Sequence, residues 1–241
     1  MKIAVLTPIA SKLTLAPCHE ALKTWPAIQG VEKFYFAHNE DLTGESRSLI
    51  EHVPNREMIL VPRREFTHIP EYWRKLYRIA DKRNRLLEVG RLHDYALFLD
   101  IDIAVPPDII ERLIGHGKDI VAGLVRTATN QGTAWAVGKL DGDKWIPLEK
   151  IPSSPLIAVD HVGSGCLMLS RRAMSDKRLR FTPIPIRSDL YGGEDQGYSM
   201  KAKQLGYECF LDPSVRCEHW RMVWNQQMLR FDLRPLTEKD Q

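Results

Sequence analysis

The sequence predicts an α/β protein built on a mostly parallel, doubly wound sheet with helices on both faces. In the first half, short apolar segments alternate with amphipathic helical segments, which is the rhythm of consecutive βαβ units. The apolar run Tyr95–Leu99 leads directly into Asp100-Ile101-Asp102 and then Pro106-Pro107, which fits a buried central strand that stops at a sheet edge. No apolar run approaches the roughly 18 residues of a membrane helix.

The remaining elements are predicted from periodicity and turn residues. In the first half, we expect strands at 2–7, 31–37, 57–61 and 119–125, and helices at 16–24, 70–92 and 106–115. In the second half, we expect a small antiparallel hairpin of 134–140 and 144–148, a strand at 166–169, a loop at 177–190, a helix at 194–205 and a strand at 207–211. Asp141-Gly142 supports the hairpin because this dipeptide favours tight turns.

Charge, cysteine content and chain organisation indicate which classes of protein are expected. The formal net charge of +3 over 241 residues is too small to indicate a nucleic-acid partner by itself. The four cysteines form no CxxC pair, which is typical of reduced thiols in a cytoplasmic protein. We find no interdomain linker or internal repeat, so the expectation is one domain over residues 1–241 without a transmembrane segment.

Asp100 and Asp102 are the first candidate site. Alternate side chains of an extended segment point to one side, so both carboxylates would face the same way. Open α/β sheets bind ligands at the carboxyl ends of their strands, and Mg²⁺ or Mn²⁺ prefers oxygen ligands shared with substrate phosphates. The pair therefore predicts a metal-bridged nucleotide diphosphate. The alternative, that the acids cap a helix beginning near Pro106, explains one aspartate but not both.

Several short motifs accompany this pair in order along the chain. They are Thr7-Pro8 after the first strand, Arg83-Asn84 in the long helix, Gly163-Ser164-Gly165 before a strand, Gly193-Glu194-Asp195 at a helix start, and a late His219. The ordered set resembles the GT-A glycosyltransferases of the family-2 type, and residues 100–107 also resemble Golgi α-mannosyltransferases. The resemblance extends from the first strand to His219.

The resemblance implies a divalent metal, Mn²⁺ or Mg²⁺. Asp102 and His219 would ligate it, and Asp100 would contact the ribose or a metal-bound water and so belongs to the metal site as well. Neutral imidazole is an acceptable ligand for Mn²⁺. A structural histidine is the alternative for His219.

The resemblance also implies the residues that bind the nucleotide sugar. Thr7, Pro8 and the Arg83-Asn84 pair would contact the nucleotide, with Gly163-Ser164-Gly165 under the donor sugar. A solvated face of a basic helix is the alternative for Arg83, and a plain turn is the alternative for the glycine segment.

Glu194 and Asp195 form the second carboxylate pair. In an inverting transferase one carboxylate accepts the proton of the attacking hydroxyl, and family position favours Asp195, with Glu194 contacting the acceptor. A helix N-terminus stabilises the ionised form. The alternative is an acid pair that only complements the helix dipole, and in a retaining enzyme Asp195 would instead position the acceptor.

The implied function is metal-dependent transfer of a sugar from a nucleotide diphosphate sugar, UDP- or GDP-linked, to a glycan or other hydroxyl acceptor. Residues 1–126 would bind the nucleotide sugar, 127–219 the acceptor, and 220–241 would form a tail. Trp135, Trp145, Trp220 and Trp224 are candidates for stacking on sugar rings. The competing interpretation is a nucleic-acid-binding protein or a transferase acting on modified DNA bases, served by the basic helix and the Arg/Trp-rich tail.

Overall fold

A computed structural model describes residues 1–10, 13–40, 42–129, 132–141, 144–187, 190–225, 230–238 and 240. The strands are β1 (Ile3–Pro8), β2 (Lys33–His38), β3 (Arg56–Leu60), β4 (Tyr95–Leu99), β5 (Ile103–Ala104), β6 (Ile120–Leu124), β7 (Arg126–Thr129), β8 (Gly132–Trp135), β9 (Val137–Asp141), β10 (Lys144–Pro147), β11 (Ile157–Val159), β12 (His161–Val162), β13 (Cys166–Ser170), β14 (Ile184–Arg187), β15 (Leu190–Gly192), β16 (Cys209–Arg216), β17 (Glu218–Asn225) and β18 (Arg230–Pro235). The helices are α1 (Leu15–Leu22), α2 (Gly44–Ile50), α3 (Glu71–Gly90), α4 (Ile109–Gly115), α5 (Arg171–Ser175) and α6 (Glu194–Gln204), with a 3₁₀ turn at Trp25–Ala27.

An eight-stranded sheet forms the centre of the molecule, in the order β11-β16-β6-β13-β4-β1-β2-β3. Strands β3, β2, β1 and β4 pair in parallel, and so do β6 and β16. Strands β13 and β11 run against their neighbours. Six of the eight strands therefore point the same way, which confirms the predicted mostly parallel α/β sheet. The carboxyl ends of β1, β4, β6 and β16 consequently lie at one edge.

The core lies on both faces of this sheet. Ala4 and Leu6 of β1 pack into one apolar cluster with α3 and α6, whereas Ile3 and Val5 pack into the other with α1 and α4. This division follows from the alternation of side chains along a strand. Strand β4 is covered on both sides, which explains its uninterrupted apolar run. None of the described helices is both long and apolar enough to cross a membrane.

The predicted hairpin is confirmed, because β9 pairs antiparallel with β10. Its first strand begins later than expected, since the preceding β8 pairs with β7 instead. The turn residues Gly142 and Asp143 lie outside the described residues.

One prediction in the second half is wrong. Residues 177–190 do not form one loop, because β14 pairs with β15 within a two-stranded sheet. Pro185 lies next to the point where the register of β14 and β15 shifts. A proline is tolerated there because this short ladder is not part of a central sheet. In the C-terminal region, residues 220–225 of β17 pair antiparallel with β18, and Glu218 and His219 at the start of β17 pair with β5. The strand predicted at 207–211 runs further, as β16.

Candidate active site

Asp100 and Asp102 lie in a turn rather than on an extended strand, which corrects the sequence prediction. Strand β4 ends at Leu99, and the amide of Ile103 donates to the carbonyl of Asp100 at 3.0 Å to close the turn. The amide of Asp100 donates to the carbonyl of Gly165, also at 3.0 Å. The hydrogen-bond ladder between β4 and β13 thus continues for one hydrogen bond beyond the end of β4. This bond fixes the residue at which the turn begins.

Both carboxylates nevertheless face one cavity of about 410 Å³, which we call the first cavity. It opens at the carboxyl ends of β1 and β4, and its walls include Pro8 of β1, Ile79 of α3 and Arg221 of β17. This volume lies within the range of small-molecule sites. The turn, and not strand alternation, is what places the two acids on the same side.

His219 lies beside Asp102 because it stands opposite Ile103 in the β17–β5 ladder. Its Nδ1 donates to the carbonyl of Arg126 at 2.7 Å, and since a carbonyl only accepts, Nδ1 carries the proton. Nε2 therefore carries the lone pair of the neutral ring, on the side away from the Arg126 carbonyl. Nε2 lies 3.4 Å from Asp102 Oδ2. Nε2 is buried and has no hydrogen-bond partner in the described part of the chain.

The electrostatics at Asp102 favour its ionised form. Burial by itself would raise the pKa of this carboxyl, but the charge of the nearby Arg221 helps to hold it below the usual range. The Arg221 guanidinium lies 3.4 Å from Asp102 Oδ2 and is about half exposed, with 47% of its side chain accessible. An anionic ligand in the first cavity would therefore meet an accessible cation.

A divalent cation fits this pair. Metal-binding histidines usually donate their other N–H to a backbone carbonyl or a carboxylate, as His219 does. An imidazole nitrogen and a carboxylate oxygen are suitable ligands for Mn²⁺. Across the described residues, no group of three or more His, Cys, Asp and Glu side chains is placed to hold a metal. Asp102 and His219 would supply two ligands, and further positions would be left for a substrate.

Arg83 is buried, with 2% of its side chain exposed, and does not lie on a solvated helix face. Its Nη2 donates to Asp100 Oδ1 at 2.8 Å, its Nε to Glu194 Oε1 at 3.1 Å and its Nη1 to the carbonyl of Ser164 at 3.2 Å. One guanidinium therefore connects the turn after β4, the start of α6 and the glycine segment.

Glu194 and Asp195 occupy the first turn of α6 in different surroundings. Glu194 is buried, and burial together with the charge of Asp195 raises its pKa to about 7, against the opposing charge of Arg83. Asp195 is half-buried, and its Oδ1 accepts from the amide of Gln196 at 2.8 Å. Asp195 is thus the more accessible acid of the two.

Two glycines flank Ser164 where the backbone comes close to its neighbours: Gly165 approaches the turn of residues 100–103 (the Asp turn), and Gly163 approaches Ala136. A Cβ at Gly165 would lie 2.8 Å from Ile103 Cδ1 and 3.2 Å from Asp100 Oδ2. A Cβ at Gly163 would lie 2.7 Å from the Cβ of Ala136. The glycines therefore allow this segment to brace the turn.

The other predicted nucleotide residues are placed differently from one another. Pro8 lines the first cavity, whereas Thr7 is fully buried and its hydroxyl has no partner among the described residues. The side-chain amide of Asn84 binds the backbone of Phe181 twice, at 2.8 and 2.9 Å. Nucleotide contacts by Thr7, Pro8 and Asn84 stay predictions.

Sequence reasoning missed two contributors to this site. The carbonyl of Arg126 sets the tautomer of His219, and Lys82 Nζ donates to the carbonyl of Ile9 at 2.6 Å next to the first cavity. A backbone carbonyl leaves no signal in the residue type. Lys82 is one of several cations on α3, and their spacing does not show which of them is buried.

Comparison with known proteins defines the fold class. No protein-family model matches this chain, and no curated protein matches it at the level of sequence. Among solved structures, GalNAc-T7 with UDP, GalNAc and Mn²⁺ has a TM-score of 0.62 at 14% identity, over 91% of this chain and 44% of its own. TarS 1-349 of S. aureus has a TM-score of 0.51 at 14% identity, over 88% of this chain and 58% of its own. The chain thus spans about half the length of these two glycosyltransferases.

A third structure has nearly the same length as this chain. A197 from STIV has a TM-score of 0.52 at 15% identity and is matched over 100% of this chain and 97% of its own. At these identities the similarity concerns the fold alone. The chain has the α/β fold of these glycosyltransferase structures, with a large mixed sheet flanked by helices and small antiparallel sheets.

Proposed function

We propose that this protein is a metal-dependent glycosyltransferase that moves a sugar from a nucleotide diphosphate sugar to an acceptor hydroxyl. The observation that carries the proposal is the buried, unpartnered Nε2 of His219, 3.4 Å from Asp102 Oδ2, beside the first cavity. The fold supports it, because GalNAc-T7, crystallised with UDP, GalNAc and Mn²⁺, shares that fold.

Asp102 and His219 would hold Mn²⁺ or Mg²⁺, with Asp100 as the remaining predicted ligand. When bound, the metal neutralises charge that develops on the leaving diphosphate. The side chain of Arg221 adds a cation at the same wall of the first cavity. Pro8 and Ile79 give that cavity an apolar wall, against which a UDP or GDP nucleoside packs.

Asp195 is the proposed base. It is half-buried at the N-terminus of α6, where the helix dipole favours the ionised form needed to accept a proton. Arg83 pairs with the neighbouring Glu194 and so fixes the first turn of that helix. Glu194 is buried and paired, so we assign it to positioning Asp195 rather than to direct contact with an acceptor.

Replacement of Asp195 by asparagine tests this role. We expect Asp195→Asn to lower the rate of sugar transfer by about 10²- to 10⁴-fold, the usual contribution of general base catalysis. Nucleotide binding should remain, because the first cavity does not include this residue. Asp108→Asn is the matched control, since Asp108 is a half-buried acid at the start of α4. Transfer within about threefold of the parent rate would exclude Asp195 as the base.

Thermal unfolding with UDP, GDP, CDP, TDP and ADP, each with and without Mn²⁺, tests the proposed function as a whole. A ligand present at about 100 times its Kd stabilises the folded state by about 2.7 kcal/mol, or on the order of 5–10 °C for a chain of this size. We expect one diphosphate to give this shift only with Mn²⁺, and EDTA to reverse it. No shift with any nucleotide would contradict the proposal, and salt-dependent DNA retention would then favour the nucleic-acid interpretation.

A further inference from the structure

A second, larger cavity of about 1070 Å³ lies at the same edge of the central sheet. Leu124 at the end of β6 and Arg216 at the end of β16 contribute to its wall, together with Arg126 and Trp135. Strand β6 points in the same direction as β4, and only β13 separates the two strands. The second cavity therefore opens beside the Asp turn.

Arg126 connects the second cavity to His219. Its carbonyl accepts the Nδ1 proton of His219, while its side chain lines the second cavity. The guanidinium carbon lies 3.8 Å from the centre of the Trp135 ring, and Nη2 lies 2.5 Å from Glu238 Oε1. The backbone of one residue thus holds the proposed metal ligand, and its side chain faces a separate binding space.

The ion pair between Arg126 and Glu238 is asymmetric. The Arg126 side chain is only 12% exposed, whereas the Glu238 side chain is 80% exposed. A largely desolvated guanidinium binds a carboxylate or phosphate group strongly, while an exposed carboxylate is readily exchanged. The carboxylate of Glu238 therefore occupies a place that an anionic group of a ligand can take.

The other charges of the second cavity favour the same kind of ligand. Its wall also carries Arg216, Lys150 and Glu149. In the described part of the chain, neither Arg216 nor Lys150 has an ion-pair partner. The guanidinium of Arg126 stacks on the half-buried ring of Trp135, which holds its N–H groups in a fixed position at the wall of the second cavity.

We propose that the second cavity binds a sugar that carries a carboxylate or phosphate group, with Arg126, stacked on the Trp135 ring, as the anion anchor. Resting on the proposed function, the site is the acceptor subsite, and the hydroxyl that is glycosylated belongs to an acidic sugar. The anion-binding site itself does not depend on catalysis.

Tryptophan fluorescence and thermal unfolding measure this binding with three matched probes: glucose, glucuronic acid and glucose 6-phosphate. We expect both acidic sugars to bind about tenfold more tightly than glucose, since a charge-assisted contact is worth about one factor of ten. Comparison of the two acids distinguishes a carboxylate ligand from a phosphate ligand. Trp135→Phe should abolish the fluorescence response while the thermal shift remains.

Two variants separate the anchor from general charge effects. Glu238→Gln removes the carboxylate that competes with a ligand for Arg126, so we expect acidic probes to bind about two- to fivefold more tightly. Glu111→Gln, at an exposed position on α4, is the control. Arg216→Gln should weaken them by about three- to tenfold, with Arg47→Gln on α2 as its control. Arg216 and Glu238 are both exposed, so folding should persist.

Equal binding of glucose and the acidic sugars, no response to any probe, or an unchanged affinity in Glu238→Gln would overturn the site. The nucleotide and Mn²⁺ shift is measured separately on the same samples. Acidic-sugar binding without that shift would support the anion site and overturn its role as acceptor subsite. Transfer to neutral sugars in preference to acidic ones would also overturn that role.

Discussion

Asp102→Asn is expected to abolish the Mn²⁺-dependent stabilisation by nucleotide and to lower sugar transfer by about 10³-fold. The substitution removes the carboxylate that faces His219 Nε2 at 3.4 Å. Charge stabilisation by a bound metal is worth several kcal/mol, and each 1.36 kcal/mol corresponds to about a factor of ten in rate. The measurement is thermal unfolding with the active diphosphate, with and without Mn²⁺, followed by a transfer assay.

The matched control is Asp94→Asn. Asp94 immediately precedes β4, at the opposite end of the strand from Asp102, and its carboxylate pairs with the exposed Arg171. We expect this variant to keep the full nucleotide shift. His219→Gln should reproduce the loss seen in Asp102→Asn, because it removes another of the proposed ligands. A full Mn²⁺-dependent shift in Asp102→Asn would refute this metal site.

Arg83→Met is expected to lower the stability of the protein more than any surface substitution. The side chain of Arg83 is buried between Asp100 and Glu194, and its removal leaves two acids without their cation. Breaking a buried ion pair by removing one partner costs about 3–5 kcal/mol, which is on the order of 10 °C in a chain of this length. Differential scanning calorimetry without nucleotide measures this change.

The destabilisation should depend on pH. In the folded protein the pKa of Glu194 is raised from its ordinary 4.5 to about 7, so its contribution to stability is complete below 4.5 and is lost as pH rises through 7. Arg83 lowers this pKa, and its removal raises the pKa further. Arg83→Met should therefore lose more stability at about pH 8.5 than at about pH 5.5.

Two variants isolate the charge effect. Arg83→Lys keeps the cation but loses the planar fork, so we expect an intermediate loss of stability. The double variant Arg83→Met/Glu194→Gln replaces the unpaired acid by a neutral amide and should remove most of the pH dependence. Equal destabilisation of Arg83→Met at both pH values would show that packing, and not the buried charge of Glu194, dominates at this position.

The strand and helix rhythm of the first half could be predicted because its signals are local. Apolar runs and helical spacing located β1 to β4 and α3 to within a few residues. The mixed character of the sheet could not be predicted, since β13 inserts antiparallel between β4 and β6. Strand pairing joins segments distant in the chain, and residue types do not encode which strand lies beside which.

The pairing of the C-terminal segment at the candidate site likewise could not be predicted from the sequence. Its composition suggested a basic, tryptophan-rich tail from residue 220; in the structure residues 220–225 continue β17, whose first residues Glu218 and His219 pair with β5 next to the Asp turn. That pairing is what brings His219 to Asp102. Asp102 was predicted from the buried strand before it, but His219 only from the ordered resemblance, because the number of residues between two positions does not give their distance in the folded protein.

By itself, the sequence determined the fold class, the position of the two aspartates at the end of a buried strand, and the acid pair at the start of α6. These depend on periodicity and on residue types at element ends. The tertiary structure decided that Arg83 is buried and joins both acid pairs, that the carbonyl of Arg126 orients His219, and that a second cavity lies beside the first. Burial, tautomer and cavity shape arise only when separate elements pack together, so no local pattern specifies them.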